Sequence, residues 1–495
     1  MALSKIVTTS NITDIIHPSN KHNKTKEIYT LEQQKLSLHG IDAIIPPFAF
    51  SMLLFFSPPP PSSNTYTIND IIDKLKNSLA EALELYPPLA GAVHCDDNDN
   101  YHIDLDPLNG RGTPFHFEIK NKPYINSGND GNKGLLARNE EESSIPLTSE
   151  SSVLAIKLTQ YSCGTIAMAI SVNHQVSDLH SLLDFVQVWA LIARDEPIDY
   201  SRIPNDWARS PSRFFPFYDK KFTVPPAWSV HPHPVPIEKV LEHAYVPGKA
   251  TVWSITRNSI HQLKTDILSS SSFKNSNKSG FPCNSLWISK SDALTALLSG
   301  ALTRSRESNT NIKRPWGRSD PGSKVEKINI SCNCRSRAPQ GMIQSHNYFG
   351  NLVKMTESAI LREDLLSPTI DATGGVALTI RTALNQELTP HTIANYLAFF
   401  DPKEMVKPLA RLQLNWDILF SNWCQFDLTN AGLDFGWGKP FKGCPDSNDS
   451  TPGVCIVMNG EVPGDILISL GVELSCVEKL KADPLLTKYA TLVAS

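Results

Sequence analysis

The stretch Ser171–Phe185, SVNHQVSDLHSLLDF, stands where the periodicity of the chain changes. Upstream, VLAIKLTQYSCGTIAMAISVN reads as two strand-like runs joined by Ser162-Cys163-Gly164, a hairpin signal. From Asp178 onward, Leu179, Leu182, Leu183, Val186, Trp189, Ala190 and Ile192 recur with the period of a helix. His174 is therefore expected at the end of a strand and Asp178 at the start of a helix. In α/β proteins such junctions place reactive side chains beside exposed backbone donors.

The stretch holds two His-x-x-x-Asp pairs, His174/Asp178 and His180/Asp184, and YHIDLDP supplies a third, His102/Asp106. With 14 histidines in the chain, about one such pair arises by chance, so spacing does not choose among them. His102/Asp106 falls in an alternating strand segment that ends before Pro107. His180/Asp184 lies one turn apart within the helix, the spacing of a helix-face pair. His174 alone combines a strand end with a helix start. Imidazole titrates near neutrality and suits proton removal from a hydroxyl or amine. The chain has no Gly-x-Ser-x-Gly elbow, Walker loop or Gly-x-Gly-x-x-Gly, which leaves direct base catalysis as the economical chemistry.

Outward from this junction, PFAFSMLLFF (47–56), bracketed by prolines, reads as a buried strand, too short for the roughly 20 residues of a membrane span. NDIIDKLKNSLAEALELY (69–86) reads as an amphipathic helix stopped by Pro87-Pro88, and 126–152 as a polar surface loop. Residues 203–237, rich in Pro and aromatics, read as a crossover between two halves. The second half opens with a strand at 250–256, a short helix and a low-complexity loop at 269–280. ISKSDALTALLSGALTRSR then reads as a helix capped by Ser289 or Ser291, with Asp292 in its first turn. KINISCNCRSR reads as a strand, and 376–387 as a helix that follows a break at Gly374-Gly375. DILISLGVEL and CVEKLKADPLL close the chain as strand and helix. The domains are expected at 1–205 and 246–495, with 206–245 between them.

Length, 41% hydrophobic and 19% charged residues describe a large globular chain, and a net charge of -4 gives no reason to expect nucleic acid or an anionic membrane as partner. The N-terminus lacks the basic and apolar regions of a secretory signal. Nine scattered cysteines form no disulfide framework, which points to a reducing, cytoplasmic setting. Cys332-Asn333-Cys334 is read as two thiols on one face of a strand, with no metal implied.

Asp434-Phe435-Gly436-Trp437-Gly438, far downstream of His174/Asp178, resembles the second signature of the BAHD acyltransferase family. LKNSLAEALELYPPLAGAV, SKSDALTALLSGALTRSR, NCRSR and NYFGNLV resemble further blocks of that family in order, so the resemblance spans most of the chain. It implies two similar chloramphenicol-acetyltransferase-like α/β domains with a channel between them. It also implies acyl transfer from a CoA thioester to a small alcohol or amine in secondary metabolism, by a monomer with no permanently bound cofactor. Residue by residue, His174 matches the general base acting in a ternary complex. Asp178 matches a carboxylate turned from the channel and paired with Arg335. Asp434, with Gly436 in its turn, matches a carboxylate of the family's second motif that supports the fold from outside the channel. Trp423 matches an indole able to offer its N–H to the thioester oxygen.

Two departures stand out. Leu179 occupies a position where the family favours glycine, and Gln425, two residues after Trp423, stands where shikimate- or quinate-using members carry arginine. Extra residues between Trp423 and Asp434 and long polar loops are in keeping with a fungal-type member. A condensation-type enzyme is the alternative within the same chemistry, although Asn173 stands where such enzymes carry a second histidine. A non-catalytic binding protein of the same fold is the alternative from another class.

Overall fold

The computed structural model describes residues 12–22, 35–46, 48–59, 67–96, 101–105, 111–124, 152–204, 207–216, 223–235, 239, 246–276, 287–307, 318–319, 322–339, 348–401, 409–445 and 451–494. Two large mixed sheets organise it. The first has six strands in the order Ile12–Ile16, Thr113–Lys120, Leu154–Tyr161, Ile166–Asn173, Ala49–Phe56 and Lys442–Pro445. The second has seven, in the order Val353–Leu361, Val325–Asn333, Ile418–Asn422, Val454–Asn459, Ile466–Glu473, Gly248–Ile255 and Thr491–Ala494. Smaller sheets pair Trp228–Val230 with Leu412–Leu414, and Lys35–Ser37 with Tyr101–Asp104 and Ala92–Cys95.

The hairpin around Ser162-Cys163-Gly164 forms as read, with Leu154–Tyr161 antiparallel to Ile166–Asn173 and Gly164 at φ 86°, where a glycine avoids the Cβ clash. Ile166–Asn173 is buried along its whole length, so the strand shows a continuous apolar run rather than alternation. Against this sheet pack the helices Ile68–Leu85 and Leu179–Ala193, joined by the Trp189 indole N–H, which donates to Ser78 Oγ at 3.0 Å. Thr67 and Asp70 form a reciprocal capping box on the first of these helices, and the chain leaves it at Pro87. Around the second sheet, Arg257–Ser269, Lys290–Glu307 and Ile370–Glu387 build a core of their own. Ser289 is the residue that caps Lys290–Glu307: its Oγ accepts from Asp292 N at 3.1 Å while its own N–H donates to the Asp292 carboxylate at 2.6 Å.

Five readings change. The break placed at Gly374-Gly375 is absent: the helix begins at Ile370, capped by Thr369, and carries both glycines inside it. A Cβ on Gly374 would come within 2.9 Å of Ser270 Oγ, so this glycine marks a close approach of neighbouring segments, not a helix end. The low-complexity loop at 269–280 contains a short helix, Ser271–Ser276, whose first N–H donates to Asp371. The stretch read as a crossover contains the strand Trp228–Val230, and the C-terminal helix is two helices, Val477–Lys481 and Pro484–Tyr489, split where Asp483 caps the second. Cys332 and Cys334 are both buried, but the strand ends between them at Asn333, so they enter different apolar clusters. Among the described residues no helix is long and apolar enough to cross a membrane, and no group of His, Cys, Asp and Glu is disposed to hold a metal ion.

The two halves interlock. Lys442–Pro445 pairs antiparallel with Phe55–Met52, and Leu433, Phe435 and Trp437 join the first core beside Phe56 and Trp189. Phe349, Trp423, Ile456 and Met458 add a further apolar seam between the sheets.

Candidate active site

The buried strand Ile166–Asn173 ends at His174, and three residues of tight turn lead to Asp178, the N-cap of Leu179–Ala193. Asn173 shapes this turn, its carbonyl accepting from Val176 N and its Oδ1 from Gln175 N, both at 2.9 Å. His174 itself is half-buried. Its N–H donates to the Phe48 carbonyl at 2.9 Å, and its imidazole lies edge-on to Phe48 and tilted against Phe50, with ring centroids 5.4 and 4.7 Å away. Phe48 is 44% exposed, an aromatic left open to solvent beside the imidazole.

Asp178 points the other way. Its carboxylate accepts from Arg335 Nη1 at 2.7 Å and Nη2 at 3.2 Å, from Ser181 N at 2.9 Å and from Leu352 N at 3.1 Å. Burial pushes this carboxyl up, but the Arg335 charge and hydrogen bonds, with His180 and the Ser181 N–H, outweigh it and hold it below the usual carboxylate range. A carboxylate with four donors in a buried site is an anchor.

The partner turn, Tyr348–Leu352, is where sequence reasoning stopped short. Gly350 has φ 143°, and a Cβ there would fall 1.9 Å from Arg209 Nη1, so neither the backbone nor the space admits a side chain. The Gly350 carbonyl accepts from Arg335 Nη2 at 2.9 Å and from Ser181 Oγ at 3.0 Å. On the other side of the turn, Asn351 Nδ2 donates to the His174 carbonyl and to Asp42 Oδ1, both at 2.8 Å, and Asn351 N donates to the same Asp42 oxygen at 3.0 Å. Asp42 sits in the short helix Gly40–Ala43, fully buried, with Arg209 Nη1 at 3.8 Å. Burial raises its pKa, against the opposing pull of Arg209 and Asn351. In the sequence, Asp42 shows only as an acid set within the apolar run HGIDAIIPPFAF, whereas Gly350 lies in the NYFGNLV block that the resemblance already marked.

His180 and Asp184 form the expected helix-face pair, Nε2 to Oδ2 at 3.6 Å. They line a cleft of about 420 Å³ with Asn333, Arg335, Ser336 and Gln425, which meets the buried network at Arg335 rather than at His174. Burial drives the Asp184 carboxyl up to about 7 in spite of the charges of Arg335 and Arg202. His102 lies in a three-stranded sheet with its ring stacked on His94 at 5.7 Å, and Asp106 falls outside the described residues. Burial lifts the thiols of Cys332 and Cys334 to about 11 and about 12, so both stay protonated.

Asp434 closes its own turn, with Oδ1 accepting from Gly436 N at 2.7 Å and Gly438 N at 3.0 Å, while Arg194 donates to its carbonyl. Gly436 and Gly438 have φ of 111° and 118°, which explains the alternation of glycine with Phe435 and Trp437, both buried in the first core. The Trp423 indole is also buried and donates to Ser421 Oγ at 3.1 Å. Leu179 is buried in the first core, so its bulk is absorbed by packing.

Comparison with known proteins agrees with this architecture. Akuammiline synthase 1 of Alstonia scholaris is 23% identical over 465 residues, covering 93% of this chain and 94% of that protein. The crystal structure of F. sporotrichioides TRI101 complexed with coenzyme A and T-2 superposes with a TM-score of 0.68 at 17% identity, covering 93% of this chain and all of the other. That of vinorine synthase gives 0.63 at 17% identity, covering 99% of this chain and all of the other. The Transferase family model matches residues 12–476. The mixed α/β chain, with its two interlocked sheets, belongs to this family, the BAHD acyltransferases.

Proposed function

We propose that the protein transfers an acyl group from a CoA thioester to a hydroxyl or amine of a small molecule, with His174 as general base. The observation that carries this reading is the division of labour in the His174–Asp178 turn. Asp178 is consumed by Arg335 and backbone donors, while the His174 imidazole packs against Phe48 and Phe50. In a ternary complex, His174 takes the acceptor proton as the acceptor heteroatom attacks the thioester carbonyl. The tetrahedral intermediate then collapses, the C–S bond breaks, and the CoA sulfur leaves with the proton. No acyl-enzyme is required. Coenzyme A in the complex with TRI101 supports an acyl-CoA donor for this chain.

Trp423 is the proposed oxyanion donor, its N–H exchanging the Ser421 hydroxyl for the thioester oxygen. Asp434 and Gly436 keep the turn that locks the second half onto the first, a supporting part. The Phe48 and Phe50 rings favour an acceptor that carries its nucleophile on an apolar scaffold. Residues 206–245 serve as the crossover between the two halves, and the protein acts in the cytoplasm as a monomer.

The test is thiol release from acetyl-CoA and longer acyl-CoAs against a panel of alcohols and amines. His174→Ala is expected to lower turnover by about 10²- to 10⁴-fold while remaining folded. A folded variant that turns over at the wild-type rate would remove His174 from the chemistry.

A further inference from the structure

We propose that Asn351 is a positioning residue for His174, acting through the His174 carbonyl and oriented by the buried Asp42 carboxylate; this rests on His174 being the base. Both hydrogens of the Asn351 amide nitrogen are committed, one to the His174 carbonyl and one to Asp42 Oδ1, each at 2.8 Å. The amide cannot be turned over, because its oxygen would then face two acceptors. The Asn351 N–H gives Asp42 Oδ1 a second bond at 3.0 Å, so side chain and backbone of one residue are referenced to one buried atom.

The turn that carries Asn351 is itself fixed from its other side. Gly350 is held by Ser181 and Arg335, and Leu352 N–H by Asp178. The same three-residue turn therefore grips the base loop at two places four residues apart, at the Asp178 side chain and at the His174 backbone. With its N–H on Phe48 and its C=O on Asn351, the His174 backbone is bonded at both ends. The imidazole itself packs against Phe48 and Phe50. Asparagine meets these demands where its relatives fail. Aspartate sets acceptors against acceptors, and serine has a single donor. A base displaced by about 1 Å loses on the order of 10²-fold in rate, while a donor bound elsewhere keeps its affinity.

The experiment compares Asn351→Asp, Asn351→Ser and the double exchange Asp42→Asn with Asn351→Asp, using the donor–acceptor pair of highest turnover from the thiol-release panel. Each single variant is expected to lose about 10- to 100-fold in kcat with KM for acyl-CoA within about threefold. The double exchange re-forms an amide–carboxylate link between positions 42 and 351 but leaves the His174 carbonyl without a donor. It is expected to regain the melting temperature lost in Asn351→Asp and to stay slow. Recovery of kcat together with Tm would reduce the residue to a purely structural part and overturn the proposal, as would a folded Asn351→Ser with wild-type kcat. His174→Ala in parallel keeps the two ideas apart: inactive, it leaves the base assignment standing whatever Asn351 does, and active, it removes that assignment first.

Discussion

At the scale of single residues, the two members of the His-x-x-x-Asp motif sit in different surroundings. His174 is half-buried against aromatic rings, whereas Asp178 is buried under an arginine and two backbone donors. Asp178→Asn keeps the shape and removes the charge, leaving Arg335 buried without its counter-ion. A loss of about 3 kcal/mol is expected, accompanied by loss of turnover. Because the folded pKa of Asp178 lies below its unfolded value, its contribution is present above the unfolded pKa and fades as pH falls through the folded one. The Tm gap between wild type and variant should therefore be widest near pH 7 and close in acid. Calorimetry across pH checks this, and an activity loss with unchanged melting would contradict the anchoring role. The motif was legible at this scale, and so was Arg335 by resemblance. Asp42 and Asn351 were not assigned roles, because a hydrogen bond spanning 309 residues of chain leaves no trace in local spacing.

Single elements follow local chemistry closely where that chemistry is complete within a few residues. The hairpin at Gly164, the helix from Leu179 and a serine cap at Ser289 or Ser291 were legible for that reason, while the capping box at Thr67 was not read. Gly374-Gly375 misled because a glycine pair has the same appearance whether it ends a helix or lets a neighbour approach, and only the packing of Ile267 and Ser270 against it distinguishes the two. The helix Leu179–Ala193 carries its own titration. With the Asp184 carboxyl raised to about 7, the native state holds a proton that the unfolded chain gives up near pH 4. Stability from this group is thus full below the unfolded pKa and is lost as pH rises to about 7. Asp184→Asn should raise Tm at pH 8 relative to wild type and flatten the slope between pH 4 and 7. A thermal series in which the two proteins run parallel would contradict the protonated carboxyl.

For the whole molecule, the strand Lys442–Pro445 and the turn around Asp434 carry second-half residues into the first sheet and its core, so the halves are expected to unfold together. Phe435, fully buried between Phe56 and Trp189, tests this. Phe435→Ala should cost about 3–5 kcal/mol and shift a single calorimetric transition downward as a whole. Two separable transitions, with only one of them shifted, would contradict the interlock. By itself the sequence determined the fold class, the strand-to-helix junction at His174, the capped helices and the glycine-bearing turn at Asp434, because periodicity, capping and backbone sterics act within a few neighbouring residues. Only the tertiary structure decided that Gly374 lies inside a helix and that Asp42 and Asn351 reach the His174 backbone. Those contacts join residues hundreds of positions apart, and they become energetically meaningful only once burial has removed the water that would otherwise satisfy each group alone.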